Sequence, residues 1–185
     1  MAGQPYWRRC VNRLTGAVSV RRITAQTARP PTTQRAQKEA PLPEIGMSPD
    51  PTTGTVVGIP TWIWVRNFTP TDPLILTNGL VGVVARLVPM SVVWDMGDDG
   101  AAPGDADVVQ CDGPGVPWTP AAASGGGGCA YVFRHRGTHR VTATIWWDVP
   151  YFDTVTGQLQ HLPPVSSTSA VDIIATELDT VIRDR

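Results

Sequence analysis

The sequence predicts an all-β domain, an antiparallel β-sandwich, preceded by a basic and disordered N-terminal arm. From residue 55 onward, short runs of β-branched and aromatic residues are divided by clusters of Gly, Pro, Asn and Asp, a pattern typical of sandwich strands. The composition agrees, because 18 Gly and 18 Pro accompany a charged fraction of only 17% and favour turns over long helices.

The clearest predicted strand covers residues 139–149, where apolar and polar side chains alternate with a period of two. Trp94 is expected in the core, because the opposite side of its strand carries Asp95, which cannot be buried without a partner. The core residues that we expect are Trp94, Tyr131, Phe133, Val141, Ile145 and Trp147. The predicted runs are 56–57, 62–65, 74–77, 80–88, 92–96, 108–111, 131–134, 139–149 and 169–175.

Residues 1–54 are predicted to be a basic, proline-rich arm or linker, and residues 55–185 the sandwich domain. The arm has no apolar periodicity, and its prolines argue against a sustained helix or a central strand. A short helix over residues 32–39 is the alternative, but nothing amphipathic there would hold it to a core. All of its basic residues up to Lys38 precede the first acidic residue, Glu39. A solvated tether is the favoured interpretation; attraction to phosphate backbones or anionic lipid, with Tyr6 and Trp7 available for stacking, is the alternative.

The segment 92–100, with sequence VVWDMGDDG, resembles the signature of PKD domains, in which a strand ends in Trp-x-Phe-Gly-Asp-Gly. The later Tyr131-Val132-Phe133, Gly137 and the strand 141–145 follow in the order of that family. Met96 stands where the family prefers Phe, and Asp99 is an insertion or substitution in the turn. The resemblance implies an immunoglobulin-like sandwich, and fold alone does not determine function.

Residues 57–181 also resemble a group of actinobacterial proteins that carry a PKD-like domain. The similarity lies in the entry 60–65, with sequence PTWIWV, in the loop 111–115, with sequence CDGPG, and in a paired Cys129. Some of that group are labelled as nucleotide-binding proteins, but this sequence contains no Gly-x-x-x-x-Gly-Lys-Ser/Thr phosphate loop. A cytosolic nucleotide- or nucleic-acid-binding protein is therefore an alternative, and we do not expect nucleic acid as a partner.

Cys111 and Cys129 bracket a glycine- and proline-rich excursion, and a disulfide would order it and stabilise the fold by removing entropy from the unfolded chain. Two reduced thiols are the alternative, and Cys10 is expected to be free or intermolecular. The predicted bridge favours an extracellular or cell-envelope location over the cytosol. The sequence has no apolar run of about 18 residues, so we expect no transmembrane helix. Residues 14–20 lack the apolar stretch of a signal peptide.

Two groups of side chains are weak candidates for metal sites. Asp95, Asp98 and Asp99 offer oxygen ligands for a hard cation such as calcium, although aspartates at a turn more often bond to their own backbone. His135 and His139 flank a predicted turn, and we interpret them as solvated turn residues, not as zinc ligands. No nucleophile motif is present, so we expect neither enzyme activity nor a cofactor.

Tryptophans supply the candidate contact surface. Trp62 and Trp64 share one side of a strand, while Trp146 and Trp147 must point to opposite sides, which leaves one of them exposed or covered by another segment. The sequence therefore predicts a non-catalytic binding or structural module at or outside the cell envelope. It is expected to contact a protein partner through the surface around Trp146 and the loop from Cys111 to Cys129, with Trp62 and Trp64 as further candidate contact residues. A carbohydrate-binding accessory module is the alternative.

Overall fold

The computed structural model describes residues 6–11, 18–23, 29–77, 82–98, 108–111, 113–125, 128–153 and 156–177. This part of the chain is mostly β, with antiparallel sheets and two short helices. None of its helices is long and apolar enough to cross a membrane. The elements are β1 (Tyr6–Val11), β2 (Val18–Ile23), α1 (Arg29–Glu39), β3 (Ile45–Ser48), β4 (Thr55–Val56), β5 (Pro60–Val65), β6 (Leu74–Thr77), β7 (Gly82–Ala85), β8 (Val88–Asp95), β9 (Val108–Cys111), α2 (Pro120–Gly125), β10 (Cys129–Val132), β11 (Gly137–Asp153) and β12 (Gln158–Thr176).

A large sheet is built on the long hairpin of β11 and β12, which pair antiparallel from Gly137↔Ala175 to Asp153↔Gln158. On the other edge of β11, β8 pairs with residues 142–148 and β7 pairs with residues 151–152. The sheet continues through β9 beside β8, through β6 beside β7, and through the short parallel strand β4 beside β12. The register between β11 and β12 shifts between Trp147 and Val149 of β11. At this point β12 contains Pro163 and Pro164, since proline cannot donate to the ladder and is tolerated at a bulge.

A small sheet has the order β10-β5-β3, with both pairings antiparallel. Along β5, the side chains of Thr61, Ile63 and Val65 are buried and those of Trp62 and Trp64 are half-buried. The buried side of β5 therefore faces the interior of the protein, and the two tryptophans lie on the outer face of this sheet.

One buried cluster unites the inner faces of the two sheets. Trp94, Phe133 and Trp147 are among its largest side chains and are fully buried. The prediction of the core is confirmed, since the six residues expected inside, Trp94, Tyr131, Phe133, Val141, Ile145 and Trp147, are all buried.

The prediction of an unstructured arm is wrong for the segment that contains α1 and β3. Helix α1 carries Pro30 and Pro31 in its first turn, where a missing N–H costs nothing, so these prolines do not prevent it. The strand β3 pairs with β5 and buries Met47. The predicted boundary between arm and domain, at residues 54 and 55, therefore lies between β3 and β5, which pair in the small sheet.

Helix α1 is attached to β12 by small side chains and polar contacts. Ala36 is fully buried, and the side-chain amide of Gln37 bonds to the backbone N–H and C=O of Ser166. The carbonyl groups of Pro41 and Pro43 accept hydrogen bonds from the hydroxyls of Ser167 and Ser169. The sequence allowed a short helix here but predicted no attachment to the core, because alanine faces give little signal in a hydrophobic pattern. Strands β1 and β2, also inside the predicted arm, pair antiparallel with each other.

The two largest core tryptophans differ in how their indole N–H groups are satisfied. Trp147 Nε1 donates to Ser167 Oγ at 2.9 Å, whereas Trp94 Nε1 is buried without a partner in the described part of the chain. We expect Trp94→Phe to cost less stability than Trp147→Phe by about 1 kcal/mol, because only the second change breaks a buried hydrogen bond. Urea unfolding of the two variants beside the parent checks this; equal costs would contradict it.

Candidate binding surface

Trp146 lies on the outer face of the large sheet, and its neighbour Trp147 lies in the core. The indole of Trp146 is 42% exposed and Trp147 is fully buried, so the predicted separation of the pair is confirmed. The residues directly opposite Trp146 are Ser91 on β8 and Ser166 on β12. Small side chains on both sides leave the flanks of the indole open to a partner.

The outer face beside Trp146 is rich in hydroxyl groups. The next rung along β11 is Thr144, whose hydroxyl bonds to that of Thr168 at 2.8 Å. Two rungs further along, Arg140 lies opposite Asp172, with Nη1 and Oδ1 3.4 Å apart. The face is therefore polar: together with the indole of Trp146, it carries the pair of Arg140 and Asp172 and the exposed carboxylate of Asp95, which lies opposite Thr142.

Trp62 and Trp64 lie elsewhere, on the outer face of the small sheet, and the structure does not bring them together with Trp146. Each indole rests on a glycine: a Cβ added at Gly128 would overlap the ring of Trp62, and one added at Gly46 would overlap that of Trp64. Both rings are half-buried in consequence. The two indoles therefore pack against the small sheet and also form part of its outer surface.

The disulfide joins Cys111 to Cys129, with their Cα atoms 5.9 Å apart, as the sequence predicted. Cys111 ends β9 of the large sheet and Cys129 begins β10 of the small sheet, so the bridge connects the two sheets. The loop between them bonds to β5, since Val65 N–H donates to the carbonyl of Pro114 at 2.8 Å. The same loop exposes Trp118, which is 47% exposed. The sequence predicted this loop as a contact surface but did not single out Trp118, which follows no strand pattern.

Asp98 is a buried polar centre just beyond the end of β8. Its carboxylate accepts hydrogen bonds from Tyr131 Oη at 3.0 Å, from Arg134 N–H at 2.9 Å and from His135 Nδ1 at 3.0 Å. Burial alone raises the pKa of Asp98, but these bonds, together with the charge of His139, outweigh it and hold that pKa below its usual value of 3.8. The carboxylate ties the turn after β8 to the segment that links β10 and β11.

His139 is buried, so the interpretation of this residue as a solvated turn side chain is wrong. Its Nδ1 lies 3.0 Å from the carbonyl oxygen of Gly97 and its Nε2 lies 2.8 Å from that of His135. A carbonyl oxygen only accepts, so the two bonds form together only when both ring nitrogens carry a proton. The ring also packs against Phe133, with the ring centroids 4.8 Å apart. The alternation along β11 already places residue 139 on the buried side, a signal that the turn interpretation overlooked.

The aspartates predicted as weak cation ligands do not converge on an open site in the part of the chain that the structure describes. Asp98 is occupied by protein donors, and Asp95 Oδ1 accepts the N–H of Gly97 at 3.0 Å, the arrangement of a turn-forming aspartate. Asp99 lies outside the described residues. The described histidines, cysteines and carboxylates include no group of three placed to hold a metal ion. His161 bonds to Asp148 at 2.9 Å on the outer face of the large sheet.

We expect Asp98→Asn to destabilise the protein by about 2 to 4 kcal/mol at neutral pH, because it weakens a buried, charge-assisted network. The folded pKa of Asp98 lies below its unfolded value, so the carboxylate stabilises the fold above about pH 4 and this contribution is lost as the pH falls through the folded pKa. Urea unfolding across this range should show the gap between parent and variant narrowing in acid. Asp95→Asn, at an exposed position, is the matched control and should cost less than about 1 kcal/mol; a gap independent of pH would contradict the assignment.

Reduction of the bridge should lower stability by about 3 kcal/mol, because the unfolded chain regains the entropy of the loop that a sequence separation of 18 residues closes. Thermal unfolding with and without reductant measures the loss. Cys10→Ser is the control, since it leaves Cys111 and Cys129 in place and should melt as the parent does under both conditions. Three reactive thiols in the denatured, unreduced protein would contradict the bridge.

Comparison of the chain with protein-family models, with curated proteins and with solved structures found no match.

Proposed function

We propose that this chain is a non-catalytic module of the PKD type, an immunoglobulin-like β-sandwich that binds a protein partner at or outside the cell envelope. The contact is made by the outer face of the large sheet around Trp146. The observation that carries the proposal is this exposed indole in the middle of a fully paired strand, flanked on both sides by serines. An exposed aromatic anchor on a rigid, mostly polar face is typical of protein contact sites.

The PKD assignment is supported by the way in which three separate sequence segments meet. Asp98, from the turn of the resembling signature, accepts a hydrogen bond from Tyr131 of the Tyr-x-Phe segment. Phe133 of that segment packs edge-on against Tyr131, with the ring centroids 5.1 Å apart, and also against His139 at the start of β11. The residues that resemble the family thus support one another in space, as a shared structural motif requires.

The location outside the cytosol is supported by the disulfide between Cys111 and Cys129, since such bridges persist in oxidising compartments. Because the bridge joins the two sheets, it would stabilise a small sandwich in such an environment.

Carbohydrate is the second candidate ligand, and the hydroxyl groups beside Trp146 favour it. Thr144 and Thr168 form a hydroxyl pair one rung away from the indole, and Ser91 and Ser166 flank the ring itself. A sugar ring can stack its C–H face on an indole and exchange hydrogen bonds with neighbouring hydroxyls. Protein remains our leading proposal, because the charged pair of Arg140 and Asp172 on this face adds the polar rim of a protein interface.

The decisive variant is Trp146→Ala, with Trp118→Ala as the matched control, because the two indoles are 42% and 47% exposed and lie on different parts of the fold. Cross-linking and affinity capture from an envelope fraction should recover a partner with the parent and with Trp118→Ala, and lose it with Trp146→Ala. Loss of an anchor worth about 2 kcal/mol corresponds to about 30-fold weaker binding.

A panel of soluble and insoluble polysaccharides separates the two candidates. Retention of the parent on a polysaccharide, abolished by Trp146→Ala, would establish the carbohydrate function in place of the protein one. Protein capture that is unchanged in Trp146→Ala would refute the role of this face.

A further inference from the structure

The buried side chain of His139 holds two separate segments of the chain through its two ring nitrogens. Nδ1 lies 3.0 Å from the carbonyl oxygen of Gly97, in the turn after β8, and Nε2 lies 2.8 Å from that of His135, in the link between β10 and β11. The side chain is only 6% exposed, so water has little access to either contact. Both segments are therefore fastened to the start of β11 by one imidazole ring.

The two contacts require one protonation state of the ring. A neutral imidazole carries one N–H and one lone pair, whereas a carbonyl oxygen only accepts hydrogen bonds. In a neutral ring one nitrogen would face a carbonyl oxygen at 2.8 or 3.0 Å with no proton between them, and that bond would be lost. Only the imidazolium satisfies both carbonyl groups at once.

The charges around the ring favour the same state. The buried carboxylate of Asp98 faces the ring from the turn after β8, with Oδ1 3.7 Å from Nδ1, and a buried anion stabilises a neighbouring cation. Tyr131 of β10 and His135 of the link bond to the same carboxylate. On β12 the residue opposite His139 is the apolar Ile173. The arginines that neighbour the ring in sequence are exposed, namely Arg134, Arg136 and Arg140.

We propose that His139 is held as an imidazolium and acts as a pH-sensitive lock, which ties the turn after β8 and the link between β10 and β11 to β11 and releases the link as the pH rises. Because Nδ1 also faces Asp98, the proton on Nε2 leaves first, and the bond to the carbonyl of His135 is the one that opens. The lock is independent of the proposed function, since His139 lies in the core and Trp146 on the outer face.

The direction of the pH dependence follows from the number of protons that each state binds. A histidine in an unfolded chain loses its proton near about pH 6.5, so above this pH the unfolded state binds one proton fewer than the locked fold. Stability then falls as the pH rises, by up to about tenfold in the unfolding equilibrium constant per pH unit. Below about pH 6.5 both states carry the proton and the lock contributes in full. The contribution of Asp98 has the opposite sign, because it is lost in acid.

Nuclear magnetic resonance of the isotope-labelled parent chain tests the protonation state directly. At about pH 7.5 we expect both ring nitrogens of His139 to carry slowly exchanging protons, because the ring is buried and doubly bonded. His161, whose side chain is 53% exposed, is the internal control and should show the rapid exchange of a solvated ring. On further titration Nε2 of His139 should lose its proton before Nδ1. A His139 ring with a single proton at about pH 7.5 overturns the proposal.

Urea unfolding between about pH 6 and pH 9, below the range in which tyrosine ionises, tests the linkage. His139→Gln removes the titrating ring and should abolish most of the rise in the unfolding constant with pH. His135→Gln is the matched control, because it removes the other histidine bonded to Asp98 and keeps the backbone carbonyl of residue 135. It should lower stability but retain the pH dependence of the parent.

Two outcomes of the unfolding measurement count against the lock. A His139→Gln variant that keeps the pH dependence of the parent overturns the proposal, and so does a His135→Gln variant that loses it. The magnetic resonance measurement needs the parent chain alone, so it decides the proposal even when His139→Gln does not fold.

Discussion

The fold depends on the alternation of buried and exposed side chains along β11. Every second residue from His139 to Val149 is buried, and each is held in register by β12 on one side. A slip of one residue would exchange the two faces and bring Trp146 inward in place of Trp147. The core, the position of the buried His139 and the exposed outer face are thus all fixed by one strand whose period of two is unbroken.

That alternation is also why much of the fold could be predicted from the sequence. The predicted runs 74–77 and 108–111 coincide with β6 and β9, because their ends are marked by turn residues. The run 80–88 was taken as a single strand, but it divides near Arg86, a break that a continuous apolar stretch conceals. The long strand β12 was predicted only in its second half, since its first half is polar and contains Pro163 and Pro164.

Some features of the candidate site depend on one strand alone, and others depend on contacts between distant parts of the chain. The exposure of Trp146 follows from parity within one strand, and so was predictable. Its separation from Trp62 depends on which sheet each strand joins, and that is decided by long-range pairing. The network around Asp98 was missed for the same reason: its donors, Tyr131, Arg134 and His135, lie more than thirty residues further along the chain. The attachment of the segment from α1 to β3 was missed because its buried residues, among them Ala36 and Met47, follow no apolar period, so that tertiary contacts hold it in place.

The bridge between the sheets has a kinetic consequence. Strands β9 and β10 belong to different sheets, so when the core opens, the covalent bond keeps the edge of one sheet beside the edge of the other. Refolding then starts with this encounter between the two sheets already made, so one closure is removed from the search for the strand pairings. Loop closure is the step that slows proteins with non-local strand pairing. The oxidised chain is therefore built to recover from transient opening faster than its topology alone would allow.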